Sequence, residues 1–216
     1  MTGDLFAAAG LLPRRLELAR GAVLLCGFAA RQGTALWDAV QAVASQAPFR
    51  HMTTRGGFRM SVAMTNCGTV GWVSDRRGYR YQAEDPVTGC PWPAMPEAMR
   101  TLAQRAAAEA GFPGFEPDAC LINRYAPGAR LALHQDKDER DFSAPIVSVS
   151  LGLPATFLFG TESRGSRPMR VPLEHGDVVV WGGAARMAFH GVAPLAQGVH
   201  PLCGDCRINL TFRKAL

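Results

Sequence analysis

The sequence predicts an α+β protein, mainly β, in which eight short strands build a two-sheet jelly roll or barrel supported by two helices. Three observations carry that prediction. From residue 118 onward the chain breaks into short β-rich runs separated by turn residues. Two earlier segments repeat apolar residues at helical spacing. The composition, 48% hydrophobic and 19% charged, is that of an ordinary globular chain. With 216 residues, one domain spanning 1–216 can bury a sizeable core without staples.

The first helix is expected over residues 34–47, where Leu36, Val40 and Val43 share a face, Thr34 serves as N-cap and Pro48 as stop. The second covers 96–110, with Pro96 in its first turn, Met99, Leu102 and Ala106 on one face, and Gly111 at its end. Between them, residues 50–82 form an insertion of glycine, arginine and aromatic residues, read as hairpins. The strands follow within 118–213: Ala119–Tyr125, Leu131–His134, Ile146–Leu151, Thr156–Phe159, Met169–Leu173, Val178–Trp181, Phe189–Val192 and Arg207–Phe212.

Composition also excludes some functions. The longest apolar runs, Gly21–Ala30 and Asp177–Gly183, fall far short of the roughly 18 residues of a membrane span. Met1–Ala9 carries Asp4 and lacks a basic start, so it does not read as a signal peptide, and a cytoplasmic setting is expected. Six scattered cysteines then read as reduced thiols, and Cys203-Gly-Asp-Cys206 as a turn entering the last strand. The net charge of +5 points to an anionic partner. Six arginines (Arg50, Arg55, Arg59, Arg76, Arg77, Arg80) face Asp75 alone in the insertion, an excess equal to that whole charge.

The chemistry starts at His134-Gln-Asp136. In an extended strand, residues i and i+2 project from one face, so an imidazole and a carboxylate can reach one cation. His190, on another expected strand, supplies a third ligand. Two histidines and one carboxylate leave coordination positions open, as in non-haem Fe(II) oxygenases, although zinc accepts the same set. His51, His175 and His200 lack a carboxylate two residues later, or have one only across a glycine turn, and read as loop or surface residues.

The last strand alternates strictly. Arg207, Asn209, Thr211 and Arg213 share one face, and Ile208, Leu210 and Phe212 the other. Asn123 and Tyr125 likewise share a face of their strand. On the inner face of a rolled sheet, a buried arginine needs an anion to offset its desolvation. A dicarboxylate meets that need while its other end chelates the metal.

Asn123-Arg-Tyr125, His134-Gln-Asp136, His190 and Arg207-Ile-Asn209 to Arg213 together resemble the AlkB family of nucleic-acid demethylases. Longer stretches carry the same resemblance: Ser61–Cys67, Pro117–Gly128, His134–Glu139 and Glu174–Trp181. The resemblance implies a double-stranded β-helix (jelly roll) catalytic core over 118–213, with supporting helices and residues 50–82 as an inserted nucleotide-recognition lid. It implies Fe(II) held by His134, Asp136 and His190, with 2-oxoglutarate and O2 as co-substrates. Asn123, Tyr125, Arg207, Asn209 and Arg213 would bind 2-oxoglutarate, Arg207 meeting its distal carboxylate. The implied reaction removes methyl groups from N1-methyladenine and N3-methylcytosine, releasing formaldehyde, succinate and CO2. Trp72 and His134 would sandwich the flipped base, Asp138 would meet its exocyclic amino edge, and Tyr79, Tyr81 and Arg164 would contact the strand. Single-stranded DNA is the implied partner, with RNA and double-stranded DNA also accepted, by a monomer that binds no membrane. Phe58 is expected to pack on the core instead. The arginine content of 50–82 and the loop Thr161–Pro168 depart from the family pattern.

Overall fold

The computed structural model describes residues 14–216, so Met1–Ala9 and the start of the expected 1–216 domain lie outside the described residues. The eight expected strands are all present, with ends shifted by at most one residue: β7 (Ala119–Tyr125), β8 (Leu131–His134), β9 (Ile146–Gly152), β10 (Ala155–Phe159), β11 (Met169–Leu173), β12 (Val178–Trp181), β13 (His190–Val192) and β14 (Arg207–Arg213). Six more precede them: β1 (Arg15–Ala19), β2 (Ala22–Leu25), β3 (Arg50–Thr53), β4 (Arg59–Gly68), β5 (Gly71–Asp75) and β6 (Gly78–Gln82).

All pairings are antiparallel, and the expected strands divide four and four. The major sheet runs β1-β2-β12-β9-β14-β7-β4-β3, and the minor sheet runs β11-β10-β13-β8. This is the expected jelly roll, with its major sheet extended at both edges. One extension departs from the sequence reading of 50–82 as an insertion. Strand β4 pairs with β7 from Ala63 opposite Arg124 to Gly68 opposite Ala119, so half of that segment belongs to the main sheet. Only β5 and β6 form a separate two-stranded hairpin. Gly68 (φ +120°) makes the turn between β4 and β5, where a Cβ would collide with the Asp118 carbonyl oxygen.

Helices α1 (Gly33–Gln46) and α2 (Glu97–Glu109) cover the outer face of the major sheet. Their buried faces include those predicted, Leu36, Val40 and Val43 on α1 and Met99, Leu102 and Ala106 on α2. Their starts differ from expectation. Thr34 lies inside α1, which begins at Gly33 without a side-chain cap, and Pro96 is the N-cap of α2 rather than its first-turn residue.

The major sheet is therefore covered on both faces. Ile208, Leu210 and Phe212 of β14 and Val147, Val149 and Leu151 of β9 pack against the helices. Leu24, Ile146, Val179 and Trp181 turn toward Phe157, Phe159, Val171 and Val192 of the minor sheet. Burying each large apolar side chain stabilises by roughly 1.5–3 kcal/mol, so these two layers dominate folding energetics. No described helix is long and apolar enough to cross a membrane.

The remaining histidines and the cysteine pair fall in supporting structure. His51 is an exposed residue of β3. Cys203 and Cys206 sit in the turn before β14, both buried, with the Cys206 thiol donating to the Cys203 carbonyl at 3.1 Å. Burial pushes the Cys203 thiol up to about 12. His175 and His200 stack at 4.5 Å, and His175 Nδ1 accepts from the Gly152 N–H at 3.1 Å. Burial first, and His200 second, hold His175 below its ordinary value.

A histidine held below its unfolded-state value stabilises the fold only while neutral. Its contribution is complete above about pH 6.5 and is lost as the pH falls through the folded value. The urea midpoint should therefore drop on acidification from pH 7 to 5. In His175→Asn, which keeps an acceptor for Gly152 but cannot take a charge, the slope should be shallower than in wild type. A slope unchanged by the substitution would refute this account.

Candidate active site

Strands β8 and β13 are neighbours in the minor sheet, with His134 directly opposite His190. The two imidazoles stand side by side, ring centroids 4.4 Å apart. Strand β8 ends at His134, so Asp136 lies just beyond it and not within a strand as the sequence suggested. It still reaches the same place. Asp136 Oδ1 is 3.6 Å from His134 Nε2, and Oδ2 is 3.8 Å from His190 Nε2. Ligand atoms of all three lie within 4.8 Å of one another, a separation one ion can bridge.

The backbone selects which imidazole nitrogen is free. His134 Nδ1 faces the Ala132 carbonyl at 2.9 Å and His190 Nδ1 faces the Ala188 carbonyl at 3.0 Å. These contacts place the proton on Nδ1 and leave both Nε2 lone pairs toward Asp136. Burial, aided by His134, holds His190 down to about 4, so it is neutral near pH 7 and can ligate. Burial opposes the charge on Asp136, but Arg213, then His190 and His134, hold its carboxyl well below the usual range. Arg213 Nε and Nη2 meet Asp136 Oδ2 at 2.8 and 2.6 Å. Two imidazoles with Nε2 turned inward and one oriented carboxylate are the donor set of a divalent transition metal.

The polar face of β14 is not solvated. Arg207, Asn209, Thr211 and Arg213 are all buried, facing the minor sheet. Register sets Asn209 opposite Asn123 and Arg207 opposite Tyr125 on β7. Asn209 donates to Ser148 Oγ at 2.8 Å, and its Oδ1 accepts from Asn123 Nδ2 at 3.2 Å and Thr211 Oγ1 at 2.9 Å. Arg207 is 1% exposed and lies 5.0 Å over the Tyr125 ring. One of its nitrogens donates to Ser150 Oγ at 2.9 Å, while Nε and Nη1 are buried without a partner. Unpaired N–H groups on a buried cation are a site for an anion such as a carboxylate.

The metal triad and Arg207 line one cavity of about 770 Å³. Trp72, Tyr79, Asp138 and Arg164 line its mouth. Trp72 stands on β5, stacks on Tyr79 at 5.4 Å and donates its indole N–H to Asp138 Oδ2 at 2.8 Å. Two expectations fail. Tyr81 does not line the cavity, because its hydroxyl turns inward to Glu139 Oε1 at 2.6 Å. Phe58, expected in the core, is 77% exposed at the β3–β4 turn and borders the cavity. A glycine-flanked hairpin tip offers it nothing to pack on.

The arginines of 50–82 are also partly spoken for. Arg50 pairs with Asp85, and Arg77 and Arg80 with Asp75, whose carboxyl is held below its usual range by the hydrogen bonds of Arg80 and then Arg77. Arg55, Arg59 and Arg76 have no carboxylate partner among the described residues. Sequence reasoning missed Ser148, Ser150, Glu139 and Arg186. The alternation of Ile146–Leu151 carried a signal for the two serines; nothing in periodicity marks Arg186, which sits in an irregular turn.

Comparison with known proteins places this geometry. The description "2OG-Fe(II) oxygenase superfamily" matches residues 21–213. The chain is 60% identical over 212 residues to the alpha-ketoglutarate-dependent dioxygenase AlkB of Escherichia coli K12, covering 98% of this chain and 97% of that protein. The chain belongs to the AlkB family of 2OG-Fe(II) oxygenases. An AlkB homolog of Caulobacter vibrioides is 48% identical over 182 residues, 84% of this chain and 81% of that one. The solved structure of OsALKBH1 superposes with a TM-score of 0.82 at 29% identity, covering 93% of this chain and all of that one. As a member of the AlkB family, the chain is a 2-oxoglutarate-dependent dioxygenase using Fe(II) and O2.

The unpaired nitrogens make a specific prediction for Arg207. Losing a buried charge partner costs about 2–5 kcal/mol, so Arg207→Met should weaken 2-oxoglutarate binding to the Mn(II)-loaded protein about 30-fold or more. The ligand-free protein should melt no lower, because the substitution also removes an uncompensated buried cation. Calorimetric titration and a melting curve read the two effects separately. Unchanged binding with a lowered melting temperature would make Arg207 a structural residue only.

Proposed function

We propose that this dioxygenase removes methyl groups oxidatively from alkylated bases such as N1-methyladenine and N3-methylcytosine. The products are the repaired base, formaldehyde, succinate and CO2. One observation carries the reading. A single cavity joins a metal triad, a buried arginine with two unpaired nitrogens and a rim of aromatic, acidic and basic side chains. In this reading His134, Asp136 and His190 hold Fe(II). Arg207 takes the distal carboxylate of 2-oxoglutarate, and Asn123, Tyr125, Asn209 and Arg213 shape its site. Iron, when bound, supplies the activation of O2 at the expense of 2-oxoglutarate.

Residues 50–82 act as the nucleotide-recognition lid on a catalytic core of residues 118–213. A methyl on the Watson–Crick edge blocks pairing, so the damaged base is extruded easily or is already single-stranded. Trp72 and His134 sandwich it, a stacking worth about 1–3 kcal/mol. Asp138, oriented by the Trp72 N–H, receives the exocyclic amino group with its second oxygen. The lesion is cationic, and a carboxylate and an aromatic face both favour it over the neutral base. Tyr79, Arg164 and the unpaired Arg55, Arg59 and Arg76 supply contacts for a single DNA or RNA strand. All six cysteines are unbridged, which supports a cytoplasmic enzyme.

Incubating the Fe(II)-loaded protein with 2-oxoglutarate, O2 and a 3-methylcytosine oligonucleotide should release formaldehyde in step with succinate. Succinate formed at the same rate without the oligonucleotide would remove the nucleic-acid reading. In Asp138→Ala, kcat/KM on 3-methylcytosine should fall about 10-fold further than on a neutral alkylated adduct, the worth of one charge-assisted contact. Equal losses on both would sink the role given to Asp138. Replacing Arg55, Arg59 and Arg76 with alanine together should flatten the salt dependence of oligonucleotide binding, by about 0.7 for each phosphate that an arginine no longer neutralises.

A further inference from the structure

Glu139 is buried to 2% exposure of its side chain, yet it neither lines the cavity nor belongs to the metal triad. Burying a carboxylate costs several kcal/mol unless it is well paired, so its placement asks for a reason. Its partners supply one. Glu139 Oε2 accepts from Arg186 Nη2 at 3.0 Å, and Oε1 accepts from the Tyr81 hydroxyl at 2.6 Å. Burial above all keeps the Tyr81 phenol protonated, and so a donor; Glu139 and Asp136 add to this against Arg213.

The same Oε1 lies 3.4 Å from Arg213 Nε, which donates to Asp136 Oδ2 at 2.8 Å. Arg213 thus stands between two carboxylates, and the shorter bond is to Asp136. The Tyr81 hydroxyl occupies the oxygen that would otherwise compete for Arg213. Arg186 fixes the other end of the loop, donating from Nη1 to the Asp136 carbonyl at 2.8 Å and from Nε to the Ala144 carbonyl at 3.1 Å.

The origin of the hydroxyl matters as well. Tyr81 is the register partner of Trp72 across the β5–β6 hairpin, so the two side chains leave one face of it. Trp72 donates to Asp138 and Tyr81 to Glu139, two successive acidic residues of the loop that carries Asp136. The hairpin that carries the stacking tryptophan therefore grips the loop that carries the metal-site carboxylate at two points.

We infer that Tyr81 and Glu139 are positioning residues of the metal and co-substrate site, the Tyr81 hydroxyl satisfying Glu139 so that Arg213 stays turned onto Asp136. Tyr81 then serves the metal site and not the nucleic-acid strand. The inference rests on the assignment of His134, Asp136 and His190 to the metal and of Arg213 to the co-substrate site.

The test uses the full chain loaded with Co(II), titrated with 2-oxoglutarate without nucleic acid, and followed by its visible spectrum. Tyr81→Phe keeps the ring and removes only the donor. It should shift the Co(II) spectrum and weaken 2-oxoglutarate about tenfold, the scale of losing an outer partner of a metal ligand. The KM for a methylated oligonucleotide should stay within about twofold, as expected of a residue making no strand contact. Adding Tyr81→Phe to Glu139→Gln should produce no further change, because the hydroxyl acts through Glu139. Additive effects in that pair overturn the proposal. So does a Tyr81→Phe protein with wild-type spectrum and 2-oxoglutarate affinity, whether its oligonucleotide KM rises or only its melting temperature falls. Wild-type protein that takes up no Co(II) overturns the metal assignment itself, an outcome separate from the loss of the strut alone.

Discussion

Everything in the site follows from two guanidinium groups buried on one face of β14. A cation taken from water into the space between two sheets is tolerated only where opposite charge meets it. Arg213 meets the protein's own carboxylates, Asp136 and Glu139. Arg207, on the same face, meets only the Ser150 hydroxyl and the Tyr125 ring, and two of its nitrogens remain unpaired. The fold thus satisfies one arginine internally and leaves the other with buried N–H groups unpaired. Closing the jelly roll around both is what turns a strand with a polar face into a binding site.

That strand is also where the sequence is most legible. Its alternation locates the two arginines, and the matching alternation of Ala119–Tyr125 locates Asn123 and Tyr125 across from them. Periodicity of 2 survives burial on both faces because the pleat, not solvent, sets it. The eight jelly-roll strands are legible for the same reason and because turn residues punctuate them. Strand β2 is not. Ala22–Leu25 is apolar throughout and buried on both faces, so no alternation distinguishes it from a helix fragment. The placement of β3 and β4 in the main sheet depends on long-range pairing with β7, which no local pattern records.

Charge is legible in amount but not in use. The six arginines of residues 50–82 suggest a uniformly basic lid. Half of them form ion pairs with Asp75 and Asp85, which offset their charge locally. Tyr81 departs from expectation for a related reason. An aromatic residue among arginines looks like a nucleic-acid contact, but Tyr81 shares its hairpin face with Trp72 and Tyr79, and its place along the strand, not its face, separates it from them. Pairing with Trp72 puts Tyr81 on the face that meets the loop after His134.

The same loop explains why strand reasoning locates Asp136 correctly from a premise the structure alters. Had β8 continued past His134, Asp136 and Asp138 would share one face, and Glu139 would point to the other. Because the strand ends at His134, the loop can send its acidic residues in three directions. Asp136 turns to the histidines and Arg213, Asp138 to the indole N–H of Trp72, and Glu139 into the buried pocket of Tyr81 and Arg186. A continuous strand could deliver two of these but not all three. Ending the strand just before the acidic residues is what lets a single short loop reach the two histidines, the Trp72 indole and the Tyr81 hydroxyl, and the pinning of that loop by Arg186 replaces the rigidity that strand pairing would have supplied.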